Sequence, residues 1–117
     1  MFIVHKIIAV TDMEENSLEI GLDDVWSIVG NYYLDYSTVE RLIAHFEMTL
    51  AGKDLKAVTI DLSGMRLIDH YALSRIMAFN NKHSSHMTIT FKIKNTSFLK
   101  KYLTGFVDRS LARIVWA

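Results

Sequence analysis

The stretch TIDLSGMRLIDHYALSRI, residues 59–76, contains the change of pattern that decides the fold of this 117-residue chain. It begins as an apolar run, is interrupted by a Ser-Gly pair, and changes at Asp69 to the spacing of a helix. Asp is favoured at a helix N-cap because its carboxylate accepts hydrogen bonds from the free N–H groups of the first turn. The stretch therefore predicts a strand, a loop and a helix, with Asp69, His70 and Tyr71 at the junction as the candidate functional site.

Two further segments have the spacing of amphipathic helices, in addition to the helix predicted from Asp69 to about His83. In the first of them, Ser37 and Glu40 form the pattern of a capping box, so we expect the helix to start at Ser37 and to end before Gly52. Its predicted apolar face consists of Val39, Leu42, Ile43, Phe46 and Leu50. The last predicted helix follows residues 95–97, and its apolar positions are Leu99, Tyr102, Leu103 and Phe106.

Five segments have the composition of strands, namely residues 2–10, 17–22, 24–30, 56–62 and 87–93. The segment 56–62 is almost continuously apolar, which is typical of a central strand covered on both faces. The segment 87–93 alternates between apolar and polar residues, which predicts a half-exposed strand at the edge of the sheet. Residues 111–117 fit either a short helix tail or a final strand.

The order of these elements is three strands followed by helices that alternate with strands. Such an order predicts an α/β protein whose sheet is mixed, because an antiparallel N-terminal hairpin is followed by parallel strands joined by right-handed crossovers. We expect three to four helices to pack on this sheet, and one domain to span residues 1–117.

The composition argues against several classes of partner and location. Thirteen basic residues balance thirteen acidic ones, so no net charge predicts a nucleic-acid partner. The chain has no cysteine, no apolar run of membrane-spanning length and no signal-peptide pattern at its start, so we expect a cytoplasmic protein without a membrane span.

The motifs of several kinds of enzyme are also missing from the sequence. It contains neither of the glycine-rich loops that bind nucleotide phosphates. His83 and His86 are close in sequence, but two histidines without a third ligand make a weak metal site. Nucleophilic catalysis by a serine needs a base and an orienting group, and the sequence offers neither for Ser63 or Ser74. The residues therefore predict a protein that is not an enzyme and that uses no metal or cofactor.

The opening stretch resembles the central signature of the STAS domain, a family named for sulfate transporters and anti-sigma factor antagonists. In that signature an apolar strand leads into Asp-Leu-Ser-Gly, and after a short spacer Ile-Asp-Ser-Ser-Gly opens a helix. The tetrapeptide at 61–64 and the pair Ile68-Asp69 match it in identity and spacing. Residues 28–42 and 89–106 are similar to the first helix connection and to the last strand and helix of the family. The resemblance implies a STAS-type fold over essentially the whole chain.

One departure from the family pattern bears on regulation. In anti-sigma factor antagonists the residue after the motif's Asp is the serine or threonine that the partner kinase phosphorylates, and here that position is His70. The resemblance therefore implies a module that is not switched by serine phosphorylation at the usual place. Ser63 and Ser74 remain as alternative acceptors.

The resemblance also implies a class of partner, a histidine-kinase-like ATPase that acts as an anti-sigma factor. Two alternatives stay open, the ATPase of an ABC transporter and a scaffold role in a larger signalling assembly, and a homodimer is compatible with all three. The expected partner-binding residues are Asp69, His70, Tyr71, Ser63, Asp35 and Tyr36. If exposed, Tyr32, Tyr33 and Tyr36 would form an aromatic patch together with Tyr71.

Overall fold

A computed structural model describes residues 8–9, 17–20, 24–29, 32–107 and 113–117. In chain order, the strands are β1 (Ile8–Ala9), β2 (Ser17–Ile20), β3 (Val25–Val29), β4 (Tyr32–Leu34), β5 (Ala57–Leu62), β6 (Met65–Ile68), β7 (Thr88–Ile93) and β8 (Arg113–Trp116). The helices are α1 (Tyr36–Leu50), α2 (His70–His83) and α3 (Ser97–Val107). The remainder of the strand predicted at residues 2–10 lies outside the described residues.

The main sheet has six strands in the order β1-β2-β3-β5-β7-β8. Its first two pairings, β1 with β2 and β2 with β3, are antiparallel, and all later ones are parallel. This arrangement confirms the prediction of a mixed α/β sheet with an antiparallel start, and the described residues contain three helices as expected. Two alternatives were open for residues 111–117, and in the described part of that segment Arg113–Trp116 forms the strand β8.

Two expectations about individual strands need correction. The strand β7 is half-exposed as predicted, but it does not lie at the sheet edge, because β5 and β8 pair with it on its two sides. The alternation of β7 reflects a sheet with one buried face, not an unpaired edge. The strand β5 is central, yet only Val58, Ile60 and Leu62 are buried, while Thr59 and Asp61 on the opposite face are half-exposed.

The three helices share one hydrophobic core with the buried face of the sheet. Trp26 of β3 contacts Phe46 of α1 with ring centroids 5.5 Å apart, and Phe46 contacts Phe79 of α2 at 5.3 Å. Leu99 and Leu103 of α3 are fully buried. Because the helices begin after the carboxyl ends of strands, their first turns are held at one edge of the fold.

The start of α1 differs from the sequence prediction. Its N-cap is Asp35, not Ser37, and the capping box is formed by Asp35 with Thr38. Ser37 and Glu40 therefore lie inside the first two turns, and the side chain of Glu40 is used elsewhere. The predicted end is confirmed, since α1 stops at Leu50 and Gly52 adopts a φ of +75°, which favours glycine.

A second, two-stranded sheet was not foreseen from the sequence. β4 and β6 pair in parallel, with Leu34 opposite Ile68, and they follow β3 and β5 after breaks of only two residues. We call this two-stranded sheet the ribbon. The N–H of Tyr32 donates to the carbonyl of Gly64 at 3.1 Å, which anchors the ribbon where it leaves the main sheet. The ribbon extends the chain beyond the main sheet, and α1 and α2 begin at its far end.

Candidate functional site

The two residues that cap α1 and α2 lie side by side. Asp35 follows β4 directly and Asp69 follows β6, and these strands are in register at their last residues. The N–H of Asp69 donates to the carbonyl of Leu34 at 3.0 Å. The parallel pairing of the ribbon thereby brings together two helix N-termini that are more than thirty residues apart in the sequence.

Asp69 connects the two helices through its carboxylate. Oδ1 accepts from the N–H of Ala72 at 2.7 Å, which caps α2, and Oδ2 accepts from the N–H of Tyr36 at 3.0 Å, which is the first residue of α1. One side chain therefore satisfies backbone donors in both helices. In this arrangement Asp69 holds the neighbouring residues in place and has both oxygens engaged within the chain.

Asp35 makes a second, local network. Its Oδ1 accepts from the N–H groups of Ser37 at 2.9 Å and Thr38 at 3.1 Å, and from the hydroxyl of Ser37 at 2.6 Å. The hydrogen bond from the Ser37 hydroxyl is the main reason why the pKa of Asp35 is lowered, against a smaller opposing effect of burial. Asp35 is therefore held as a charged cap at the start of α1.

Tyr71 belongs to a network that joins α1 to α2. Its hydroxyl donates to Glu40 Oε2 at 2.9 Å, and Arg75 Nε donates to Glu40 Oε1 at 2.8 Å. The hydrogen bond from Arg75, followed by that from Tyr71, lowers the pKa of Glu40, and the same contact with Glu40 raises the pKa of Tyr71. The ring of Tyr71 is 47% exposed although its hydroxyl is bound, so it is a fixed ring on the surface.

The exposed side chains around the two helix starts are largely aromatic and apolar. Tyr33 of β4 is 60% exposed and stands opposite Leu67 of β6 in the ribbon register. Tyr36 is 70% exposed, and His70 is exposed on the first turn of α2. We refer to these residues together as the docking surface: Tyr33, Tyr36, Leu67, His70 and Tyr71.

The predicted site residues are only partly brought together. Tyr32 is buried, and burial raises the pKa of its phenol, so Tyr32 does not meet the condition of exposure for the aromatic patch. Ser63 is half-buried at the base of the ribbon, where its N–H donates to Asp61 Oδ1 at 2.9 Å. Gly64 and the four residues of β6 separate Ser63 from Asp69, and β6 alone spans about 13 Å at the usual rise of a strand. Ser74 is exposed on α2.

A cleft with polar and apolar walls lies at the opposite end of α1 and α2. It has a volume of about 260 Å³ and is lined by Glu47, Leu50, Ala51, Lys53, Leu55, His83, His86 and Met87. Glu47 accepts from Lys82 and contacts His83 Nε2 at 2.5 Å. Burial would raise the pKa of Glu47, but the hydrogen bonds and charges of Lys82 and His83 outweigh it and lower that pKa.

Neither a metal centre nor a membrane-spanning helix is found in the part of the chain that the structure describes. No group of three or more His, Cys, Asp or Glu side chains has the arrangement to hold a metal ion within those residues. In the same residues, no helix combines the length and the apolar character needed to cross a bilayer.

Sequence reasoning missed Leu67, Glu40 and Arg75. Leu67 was missed because residues 65–68 are too few to show a strand period, and the pairing partner of β6 is distant in the chain. Glu40 was assigned to a capping box. The only local signal for its actual role was the spacing of Tyr71 and Arg75, which are four residues apart on one helix face.

Comparisons with known proteins bear on the fold. No protein-family model matches the chain, and no curated protein is similar to it in sequence. A solved structure of an uncharacterized protein of the DUF3478 family from Shewanella loihica PV-4, described as having a SpoIIAA-like fold, superposes with a TM-score of 0.54. The two chains are 15% identical, and the match covers 100% of this chain and 90% of that one. The SpoIIAA-like fold is that of the STAS domain, so the expected fold is confirmed.

Proposed function

We propose that this protein is a non-enzymatic interaction module that resembles an anti-sigma factor antagonist and binds a partner protein through the docking surface. The observation that carries the proposal is the group of exposed rings at two helix starts that Asp69 joins. Aromatic side chains that are held rigidly and remain exposed are enriched at protein interfaces, because they bury a large area at little cost in entropy. Tyr71 has this character, since Glu40 fixes its hydroxyl.

The proposed partner is a histidine-kinase-like ATPase that acts as an anti-sigma factor, which would make the module a cytoplasmic regulator. Support for this class comes from the resemblance of residues 59–76 to the STAS signature and from the SpoIIAA-like fold. By the resemblance to the STAS signature, His70 corresponds to the position at which such modules carry the phosphorylated hydroxyl. The proposed complex is therefore not released by phosphate at residue 70, and another input controls it.

Two other partners are compatible with the same surface, namely the ATPase of an ABC transporter and a neighbouring subunit of a signalling assembly. Neither requires a phosphorylated serine in the module. The neighbouring genes distinguish these partners. Genes for a kinase and a sigma factor favour the anti-sigma factor ATPase, and transporter genes favour the ATPase of an ABC transporter.

Isothermal calorimetry with purified candidate ATPases tests the proposal directly. We expect Tyr71→Ala to weaken binding by about 1–3 kcal/mol, the usual scale for an anchor residue. We expect His70→Asp to weaken it as well, through repulsion from partner carboxylates. A negative charge in the first turn of α2 favours the helix, so lost binding by His70→Asp would not come from unfolding.

The matched controls are Tyr71→Phe, which keeps the ring and removes the hydroxyl, and Met48→Ala on α1. Met48 is 61% exposed and lies two turns beyond Glu40. Met48→Ala should bind as the parent does, and Tyr71→Phe should lose less affinity than Tyr71→Ala, because its ring remains although Glu40 no longer fixes it. Circular dichroism should show native folding for all variants. Equal affinity of Tyr71→Ala, His70→Asp and the parent would contradict the proposed location of the interface.

A further inference from the structure

The zero net charge of the chain conceals a strong separation of charge. Residues 1–69 contain twelve of the thirteen acidic residues and five basic ones, a net charge of −7. Residues 70–117 contain eight basic residues and one acidic residue, Asp108, a net charge of +7. Such a charge asymmetry between the halves of a chain suggests a charged interaction surface where the charges do not neutralise one another within the fold.

In the part of the chain that the structure describes, the last strands of the basic half form one side of the main sheet. Strand order in the main sheet follows chain order, so β7, β8 and α3 lie towards one side of the molecule. Part of the basic charge is neutralised within the chain, because Arg75 contacts Glu40 and Lys82 contacts Glu47. Lys92 stands in register with Asp61 on the neighbouring strand.

Three lysines remain around α3 after these pairs are removed. Lys94, Lys100 and Lys101 are exposed, and no carboxylate within the residues described by the structure forms an ion pair with them. Lys100 extends over the ring of Trp116, with its ammonium 5.9 Å from the ring centroid. All three lysines therefore lie at the surface, Lys100 with its ammonium over the Trp116 ring.

An aromatic pair accompanies these charges, of which Phe98 is exposed and Tyr102 is half-buried. Phe98 is 57% exposed, and its ring stacks on that of Tyr102 with centroids 5.9 Å apart and planes inclined by 9°. Leu99 and Leu103 lie on the face of α3 that packs into the core. Because successive helix residues are about 100° apart, Phe98 and Lys101 lie on the outward face. An apolar ring is thus presented beside ammonium groups.

We propose that this α3 surface, formed by Lys94, Phe98, Lys100, Lys101 and Tyr102, binds an acidic peptide segment that carries a large apolar side chain. The carboxylates of such a segment complement the three lysines, and its apolar side chain covers the ring of Phe98. A single-stranded nucleic acid fits less well, because its phosphates require a basic track along the strand, whereas these lysines cluster around one helix. The inference goes beyond the docking surface, since either surface can bind without the other.

Fluorescence anisotropy with defined probes tests the proposal. The first probe is a short fluorescein-labelled peptide of Glu and Asp around one Phe, and the second is the same peptide with Gln and Asn in place of the acids. We expect the acidic peptide to bind the full chain at low salt and the amide peptide to bind at least about tenfold more weakly. Lys100→Glu with Lys101→Glu should reduce affinity by about tenfold or more, and Phe98→Ala by about fivefold.

The control for charge is Lys53→Glu with Lys56→Glu, which changes the net charge equally at exposed positions in the acidic half of the chain. The control for Phe98→Ala is Val115→Ala, which truncates another exposed apolar side chain, since Val115 is 51% exposed on β8. Unchanged affinity in both controls supports the proposal. Absence of binding, or equal losses in the two charge-reversal variants, overturns it. If an oligothymidylate binds more tightly than the acidic peptide and shows the same dependence on Phe98, the α3 surface binds nucleic acid and the peptide proposal is wrong.

Discussion

Substitution of Asp69 should destabilise the protein more than the loss of an ordinary helix cap, because one carboxylate serves two helices. Loss of an N-cap side chain costs typically about 1 kcal/mol. Asp69→Ala also removes the acceptor for the N–H of Tyr36, and hydrogen bonds to charged groups contribute about 1.5 kcal/mol at the low end of their range. We therefore expect a loss of about 2–3 kcal/mol in the free energy of unfolding, or about 8–12 °C in Tm for a chain of this length.

The variant Asp69→Asn separates the two contributions. Its amide oxygen can accept from the N–H of Ala72 as Oδ1 does, but its NH₂ group would face the N–H of Tyr36 and cannot accept from it. The expected cost is about 1–2 kcal/mol, between the parent and Asp69→Ala.

Urea unfolding followed by far-UV circular dichroism and by tryptophan fluorescence measures both variants, since Trp26 is fully buried. The matched control is Asp54→Ala, because the side chain of Asp54 is 86% exposed and contacts only Lys56 among the ion pairs of the described residues. Its effect should stay within about 0.5 kcal/mol. If Asp69→Ala costs no more than Asp54→Ala, the carboxylate does not join the two helices and the reasoning is refuted.

Three further predictions concern pH, modification and the ribbon. The pKa of Glu47 is lowered from 4.5 in the folded protein, so its contribution to stability is present above that value and is lost as the pH falls through the folded pKa. Glu47→Gln should therefore lower the urea midpoint at about pH 7, and the difference from the parent should shrink as the pH falls below 4.5 and through the folded pKa of Glu47. Phosphopeptide mapping after incubation with a candidate serine kinase should find no phosphate at His70, and stoichiometric phosphate on Ser63 or Ser74 would restore a switch. Leu67→Asp should leave the fold intact by circular dichroism and weaken partner binding by about tenfold, and unchanged affinity would exclude the ribbon from the interface.

The sequence determined those features that arise from local chemistry. The helix that begins after Asp69 was predicted correctly because a capping carboxylate and an apolar face lie within one segment. The central position of β5 was predicted correctly, although the reason given, cover on both faces, was wrong. The mixed sheet followed from the order of elements. The N-cap of α1 was misassigned because both Asp35 and Ser37 are good capping residues, and only the pairing of β4 with β6 fixes where the helix begins.

The tertiary structure alone decided what surrounds the candidate site. The second bond of Asp69, to Tyr36, joins residues 33 positions apart, and the bond from Tyr71 to Glu40 joins residues 31 apart. The periodicity of apolar residues in the sequence does not indicate such contacts, because the partners become neighbours only after two parallel strands pair and two helices pack. The burial of Tyr32 beside the exposure of Tyr33 likewise depends on which side of the ribbon faces the core. Adjacent residues of a strand point to opposite faces, and which face is buried is decided by the elements packed against it.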